Sequence, residues 1–143
     1  MEQRTNLAVE NFKKGYNCCQ AVVCAYCDAL GIKEEDAFRM AEGFGGGMGG
    51  LGETCGAVTG MYMVLSLLNS KGNLDNPRET KMQTYQSIQT LSKEFEAKNK
   101  STICRELKGQ TGGPVLRNCI GCVEDAATLL DAYLSDLRSE ENK

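Results

Sequence analysis

Eight cysteines and no histidine set the chemistry open to this chain. Without imidazole there is no Ser–His or Cys–His nucleophile pair, no His-bearing zinc site and no His-ligated haem. Metal binding or proton transfer falls to thiols, carboxylates, Tyr and Lys. Four cysteines stand where a helix is expected to begin, each just behind a residue that caps well: Asn17-Cys18, Thr54-Cys55, Thr102-Ile103-Cys104 and Asn118-Cys119. The free N–H groups and partial positive charge of a helix start favour thiolate over thiol. Four such placements in one chain predict helix ends converging on something anionic, a metal or a cluster of net negative charge. Cys18, Cys55, Cys104 and Cys119 are therefore the candidate metal ligands. Cys122 is the reserve ligand, because Cys119-Ile120-Gly121-Cys122 is a C-x-x-C pattern at a helix start.

The remaining thiols read differently. Cys24 and Cys27 fall inside the second expected helix among Val and Ala, where a free cysteine is a small buried hydrophobe. Cys19 follows Cys18 directly, points about 100° away around a helix, and is read as packing or a spare thiol. Neither C-x-x-C is followed by His, so neither is a c-type haem attachment site. A thioredoxin-type reading needs a βαβ setting, and none is visible.

Nine of the sixteen glycines lie between Gly43 and Gly60. Gly45, Gly47 and Gly50 spell G-x-G-x-x-G, but no strand precedes them, so a dinucleotide fingerprint is not expected. No Gly-Lys-Ser/Thr follows, which excludes a Walker loop. What remains is a loop needing positive φ and close backbone approach, whose amides can surround the sulfurs of an iron–sulfur cluster. Gly45, Gly46, Gly47 and Gly56 are the cofactor-binding candidates; the alternative is a mobile linker. Gly56 and Gly60, four apart, also predict close helix packing.

These residues must be held by helices. Apolar spacing and capping signals place them at about Thr5–Lys14, Cys18–Leu30, Glu34–Glu42, Cys55–Leu68, Pro77–Lys98, Thr102–Lys108 and from Cys119 onward. Asn17 and Gln20 resemble a capping box, and Asn76-Pro77-Arg78-Glu79 reads as a cap, Pro at N1 and an acidic N3. The segment Cys55–Leu68 is almost wholly apolar, hence a buried central helix. The expected fold is all-α: a compact single-domain bundle of about six or seven helices, with the glycine-rich loop before the central helix. At 143 residues, one redox or metal-binding domain over 1–143 is expected.

A net charge of −3 and a pI near 5.1 argue against nucleic acid. The apolar run 57–68 falls short of the ~20 residues of a membrane span, so no membrane insertion is expected. Residues 1–6 lack a basic region leading into an apolar run, so a cytoplasmic chain is expected, where thiols stay reduced.

The run Asn17-Cys18-Cys19-Gln20-Ala21-Val22, the glycines from Phe44 to Gly49, and Cys55-Gly56-Ala57-Val58-Thr59-Gly60 resemble the redox-active protein family named for its C…GCAxxG…C…C signature. The C-G-A-x-x-G element carries most of that resemblance, which extends from about Leu7 to Leu130. It implies that the signature cysteines are Cys18, Cys55, Cys104 and Cys119, the same four picked out by the helix starts. The family is similar to part of the split-Soret cytochromes, which pair haem with an iron–sulfur cluster. The haem-binding C-x-x-C-H element is absent here, so the resemblance implies the cluster alone.

Three functions follow, in decreasing order of support. The first is an iron–sulfur protein, [4Fe–4S] or [2Fe–2S], held by four cysteines for electron transfer or redox sensing; structural zinc in a Cys₄ site is its quieter form. The second is a thiol–disulfide redox protein without metal, in which Cys18 or Cys55 attacks. The third is a structural or interaction module whose cysteines merely pack. Glu53 and Asp125 lie near signature cysteines, but a lone carboxylate at a helix start is a favourable charge rather than a catalyst, and no catalysis is assigned. Tyr62 and Tyr85 are read as lining a cavity or packing. The expected partner is a redox protein, and a homodimer sharing the cofactor's interface fits a small helical chain.

Overall fold

The computed structural model describes residues 3–141. Seven helices run in order: α1 (Thr5–Lys13), α2 (Cys18–Tyr26), α3 (Glu34–Ala41), α4 (Gly56–Asn69), α5 (Lys81–Asn99), α6 (Cys104–Leu107) and α7 (Cys119–Glu141). A 3-10 turn at Glu42–Phe44 follows α3. Among the described residues there is no strand, only one antiparallel bridge between Thr54 and Ile103. The all-α bundle expected from the sequence is the fold observed.

Helix α4 is the centre. Ala57, Val58, Met61, Val64 and Leu65 are fully buried, and the helix packs against α2, α5 and α7. Its two glycines bring it against α2. A β-carbon on Gly60 would lie 3.0 Å from the Cys19 carbonyl oxygen and from Val22 Cβ, and one on Gly56 would lie 3.1 Å from Cys18 Cβ. Close approach here needs hydrogen in place of a side chain.

Helix α2 is buried on two sides, which is why eight of its nine residues are hidden. One side joins α4, α7, Leu91 and Phe95 in the main core. The other packs Cys19, Val23, Cys24 and Cys27 against Ala37 and Ala41 of α3. Its start is the expected capping box: Asn17 accepts from the Gln20 amide at 2.9 Å, and Gln20 returns a bond from the Asn17 amide at 3.0 Å.

Helix α1 has no cap of its own and borrows one. Asp131 of α7 accepts from the amides of Arg4 at 3.0 Å and Thr5 at 3.1 Å, and from the Thr5 hydroxyl at 2.7 Å. The buried Tyr26 hydroxyl donates to the same carboxylate at 2.7 Å.

Three boundaries differ from the sequence expectation by more than one residue. Helix α2 stops at Tyr26, not Leu30, because the Ile32 amide turns back to the Cys27 carbonyl at 2.9 Å while Gly31 takes a φ of +74°. Cys27 therefore sits at the helix end. Helix α5 begins at Lys81 rather than Pro77. Glu79, expected as the acidic N3 residue, accepts from the Asn73 side chain at 3.2 Å, and 77–80 form a turn. Helix α6 begins at Cys104, because Thr102 and Ile103 are held in the bridge. No helix among the described residues is long and apolar enough to cross a membrane.

Candidate functional site

The sulfurs of Cys18, Cys55, Cys104, Cys119 and Cys122 line one cavity, together with Gly46, Gly56, Leu107, Lys108 and Arg117. All eight cysteines of the chain are free thiols. Cys18 is the first residue of α2, directly behind its capping box. Cys55 occupies the N-cap position of α4, with φ −50° and ψ 133° and no side-chain capping bond. Cys119 opens α7, where Asn118 Oδ1 accepts from the Gly121 amide at 2.8 Å, and Cys122 follows one turn on.

Cys55 and Cys104 are set side by side by the short bridge. The Cys55 amide donates to the Thr102 carbonyl at 2.8 Å, and the Cys104 amide donates to the Glu53 carbonyl at 2.6 Å. The glycine-rich loop closes the same end. Gly46 forms part of the cavity wall, while Gly45 and Gly47 lie against its neighbours: a β-carbon on Gly45 would meet the Asn17 side chain at 2.8 Å, and one on Gly47 would meet Cys104 Cβ at 2.6 Å. The amides of Gly50, Gly52 and Glu53 bond to the carbonyls of Gly45, Gly46 and Gly47. These three N–H groups are thus turned to the loop's own carbonyls instead of to sulfur. The loop is folded on itself, not slack.

The thiols differ sharply in acidity. A hydrogen bond from Cys122 outweighs burial and, with the amides of Val58 and Ala57 and the charge of Lys108, brings Cys55 down to about 7. Cys122 is pushed up, by that same bond first and by burial second. Burial, then the neighbouring Cys55 and Cys119, pushes Cys18 up, and Cys119 is its hydrogen-bond partner. Burial also raises Cys104, against the pull of Lys108. The lowered thiol expected at each helix start is present at Cys55; at Cys18 and Cys104 removal from water is the larger effect.

Cys19, Cys24 and Cys27 lie outside this cavity. They are buried in the α2–α3 cluster, with the Cys19 sulfur 3.6 Å from Met63 Sδ and the Cys27 thiol donating to the Cys24 carbonyl at 3.1 Å. Tyr62 is half-buried against the main core, and Tyr85 is exposed. Glu53 pairs with Arg105 at 3.4 Å on the surface.

Asp125 is no surface charge. It is buried and held by Lys98 at 2.9 Å and by Arg117 at 3.1 Å. Burial pushes its carboxyl up, but the bonds from Lys98 and Arg117 together keep it below the usual range. The pairing fixes Arg117 beside the cavity. Lys108 and Arg117 are the site residues that the cysteine pattern did not reveal. The signal for Lys108 was its place four residues after Cys104, one helical turn on the same face.

Chemically, five soft sulfur donors with no imidazole suit iron–sulfur centres, zinc or Cu(I). In volume, the cavity is about 20 Å³, room for about one water molecule. As they stand, no three Cys, Asp or Glu side chains among the described residues form a group that could hold a metal ion. The donor set fits a metal–thiolate group, and the thiols must rearrange to receive one.

The family described as "Putative redox-active protein (C_GCAxxG_C_C)" matches residues 16–133. An uncharacterized protein of Archaeoglobus fulgidus is 27% identical, over 98% of this chain and 97% of its own length. No solved structure matches. The family's name writes its central element Gly-Cys-Ala where this chain has Cys55-Gly56-Ala57. The match spans every cysteine lining the cavity, and the chain belongs to this family of redox-active cysteine proteins.

Proposed function

We propose that the cavity binds an iron–sulfur cluster, [4Fe–4S] or [2Fe–2S], through Cys18, Cys55, Cys104 and Cys119, with Cys122 in reserve, and that the protein transfers electrons or senses redox state. One observation carries this reading. Thiols from the starts of four helices, distant in sequence, share a single cavity. A packing role for cysteine gives no reason for such convergence, and a dithiol mechanism needs two sulfurs rather than five.

When bound, such a cluster supplies one-electron chemistry, which no side chain in the cavity offers. The chain's own part is to present sulfur and exclude water. Leu107 and Gly56 form the apolar wall, and Gly47 lets the loop backbone press on Cys104. Cys18 and Cys104, held protonated chiefly by burial, and Cys122, held so first by its bond with Cys55, give up their protons at Sγ on ligation, so uptake of metal releases protons and is favoured by rising pH. Zinc suits the same sulfur donors and would make the site structural.

The Cys55–Cys122 pair supports a second reading, thiol–disulfide exchange. Cys122 lowers Cys55 to about 7, within the range where a thiol attacks well at neutral pH. Anaerobic purification with iron, zinc and sulfide analysis and a visible spectrum separates the two, with Cys104→Ser as the key variant. A brown protein with matched iron and sulfide, bleached in Cys104→Ser, is the expected result. A protein that takes up no iron after anaerobic reconstitution, and whose thiol exchange is unchanged in Cys104→Ser, overturns the cluster in favour of the disulfide.

A further inference from the structure

We propose that Lys108 sets the redox balance of the thiol cavity, as the one cation lining it that no carboxylate neutralises among the described residues. This rests on the cluster reading above. Lys108 ends the α6 turn that Cys104 begins, its amide bonding to the Cys104 carbonyl at 2.9 Å. Ligand and cation thus come from one turn, four residues apart, and both line the cavity.

The other charges are accounted for. Salt bridges among the described residues engage Arg4, Lys98, Arg105 and Arg117, but not Lys108. Arg117, the second cation in the cavity wall, gives Nε to Asp125 at 3.1 Å and Nη2 at 3.3 Å. Lys108 instead answers to sulfur. Its proton is held more tightly beside Cys119 and Cys104, and its charge in turn pulls the Cys55 and Cys104 thiols down.

The consequence is electrostatic. Each electron taken up by a centre held on thiolates adds one negative charge, and a fixed ammonium beside it favours the more negative state. Removing that charge lowers the reduction potential without removing a ligand. Lys108 is partly solvated, so the effect is screened. The expected change is about three- to tenfold in the reduced-to-oxidised ratio at a fixed potential, tenfold being about 59 mV for one electron.

The test uses wild type, Lys108→Gln and Lys108→Arg, reconstituted anaerobically with iron and sulfide and titrated with dithionite against redox mediators. Iron content, sulfide content and visible spectrum should match in all three. The Lys108→Gln potential should fall by the stated ratio, Lys108→Arg should restore it to within about twofold, and high salt should narrow the gap. Equal potentials at equal iron content overturn the role of Lys108 and leave the cluster standing. Loss of iron from Lys108→Gln alone overturns it too, making the lysine an assembly residue. A wild type that takes up no iron overturns the cluster reading, and the lysine's redox role with it.

Discussion

Gly47 lies so close to Cys104 that a β-carbon on it would come within 2.6 Å of Cys104 Cβ, and within 2.7 Å of the Glu53 amide nitrogen. Its φ is +74°. Gly50 shares the left-handed backbone, at +80°, but has nothing within 4 Å of that position. The pair separates two costs. Gly50→Ala should lose only the backbone preference, about 1 kcal/mol. Gly47→Ala must also displace Cys104 and the bridge, and should lose about 2–4 kcal/mol in total. Urea unfolding under reducing conditions reads both, and equal losses would show that the Cys104 side yields freely.

Asn17 has two duties. Its Oδ1 caps α2, and its Nδ2 donates to the Glu42 carbonyl at 2.9 Å, tying the cap to the start of the glycine-rich segment. Asn17→Ala should cost about 1–2 kcal/mol. Asn17→Asp keeps the cap and loses the tie, so it should fall between. Thermal unfolding midpoints in that order support the two roles; an Asp variant as weak as the Ala variant would make the tie the dominant contact.

The thiols make stability depend on pH in two windows. Cys55, lowered to about 7 from about 9, is ionised in the folded chain while still protonated in the unfolded one. Its contribution therefore grows from pH 7 to 9 and is lost as pH falls through 7. Cys19 and Cys24, pushed up to about 12 chiefly by burial, act in the opposite sense, as do Cys18, Cys104 and Cys122. Above pH 9 the unfolded chain sheds these protons and the folded one keeps them, so stability should fall. Urea midpoints of the metal-free, reduced protein from pH 7 to 10.5 check this. A midpoint still rising above pH 9.5 would contradict the buried thiols. In Cys122→Ser the rise between 7 and 9 should shrink if the thiol is the better donor to Cys55.

Asp125 joins α5, α7 and the cavity wall through Lys98 and Arg117. Asp125→Asn should cost about 1–3 kcal/mol. The loss stays below that of a fully buried pair because both cations keep access to water, with 54% and 36% of their side chains exposed. Arg117 then loses its anchor beside the thiols. Double-mutant cycles with Lys98→Gln and Arg117→Gln should give a larger coupling for the arginine, which holds the carboxylate with two nitrogens. Equal couplings would mean that Arg117 is placed by its loop and not by Asp125.

Local patterns were readable and non-local capture was not. The Asn17–Gln20 capping box is complete within four residues, so α2 starts where its sequence says. The grouping of Cys18, Cys55, Cys104 and Cys119 was likewise legible, since each sits at a helix start. By contrast, Thr102 and Ile103 read as a helix start but are claimed by residues 53–55, about a third of the chain away. Glu79 was expected as the acidic N3 of a helix from Pro77, and it bonds instead to the side chain of Asn73, six residues back. Asp131 lies inside the amphipathic run of α7 with no local sign that it caps α1. Lys108 and Arg117 carried no motif; their importance comes from which neighbours lack, or hold, a countercharge.

The spread of the cavity's thiols along the chain also dictates when the site can come into being. During synthesis Cys18, Cys55 and Cys104 emerge first, and their wall is incomplete until Cys119 and Cys122 follow at the head of α7. The same late helix carries Asp131, which ties down the earliest one. A growing chain therefore exposes unpaired sulfur until α7 docks, and the full set of cavity thiols exists only once the head of α7 has been made.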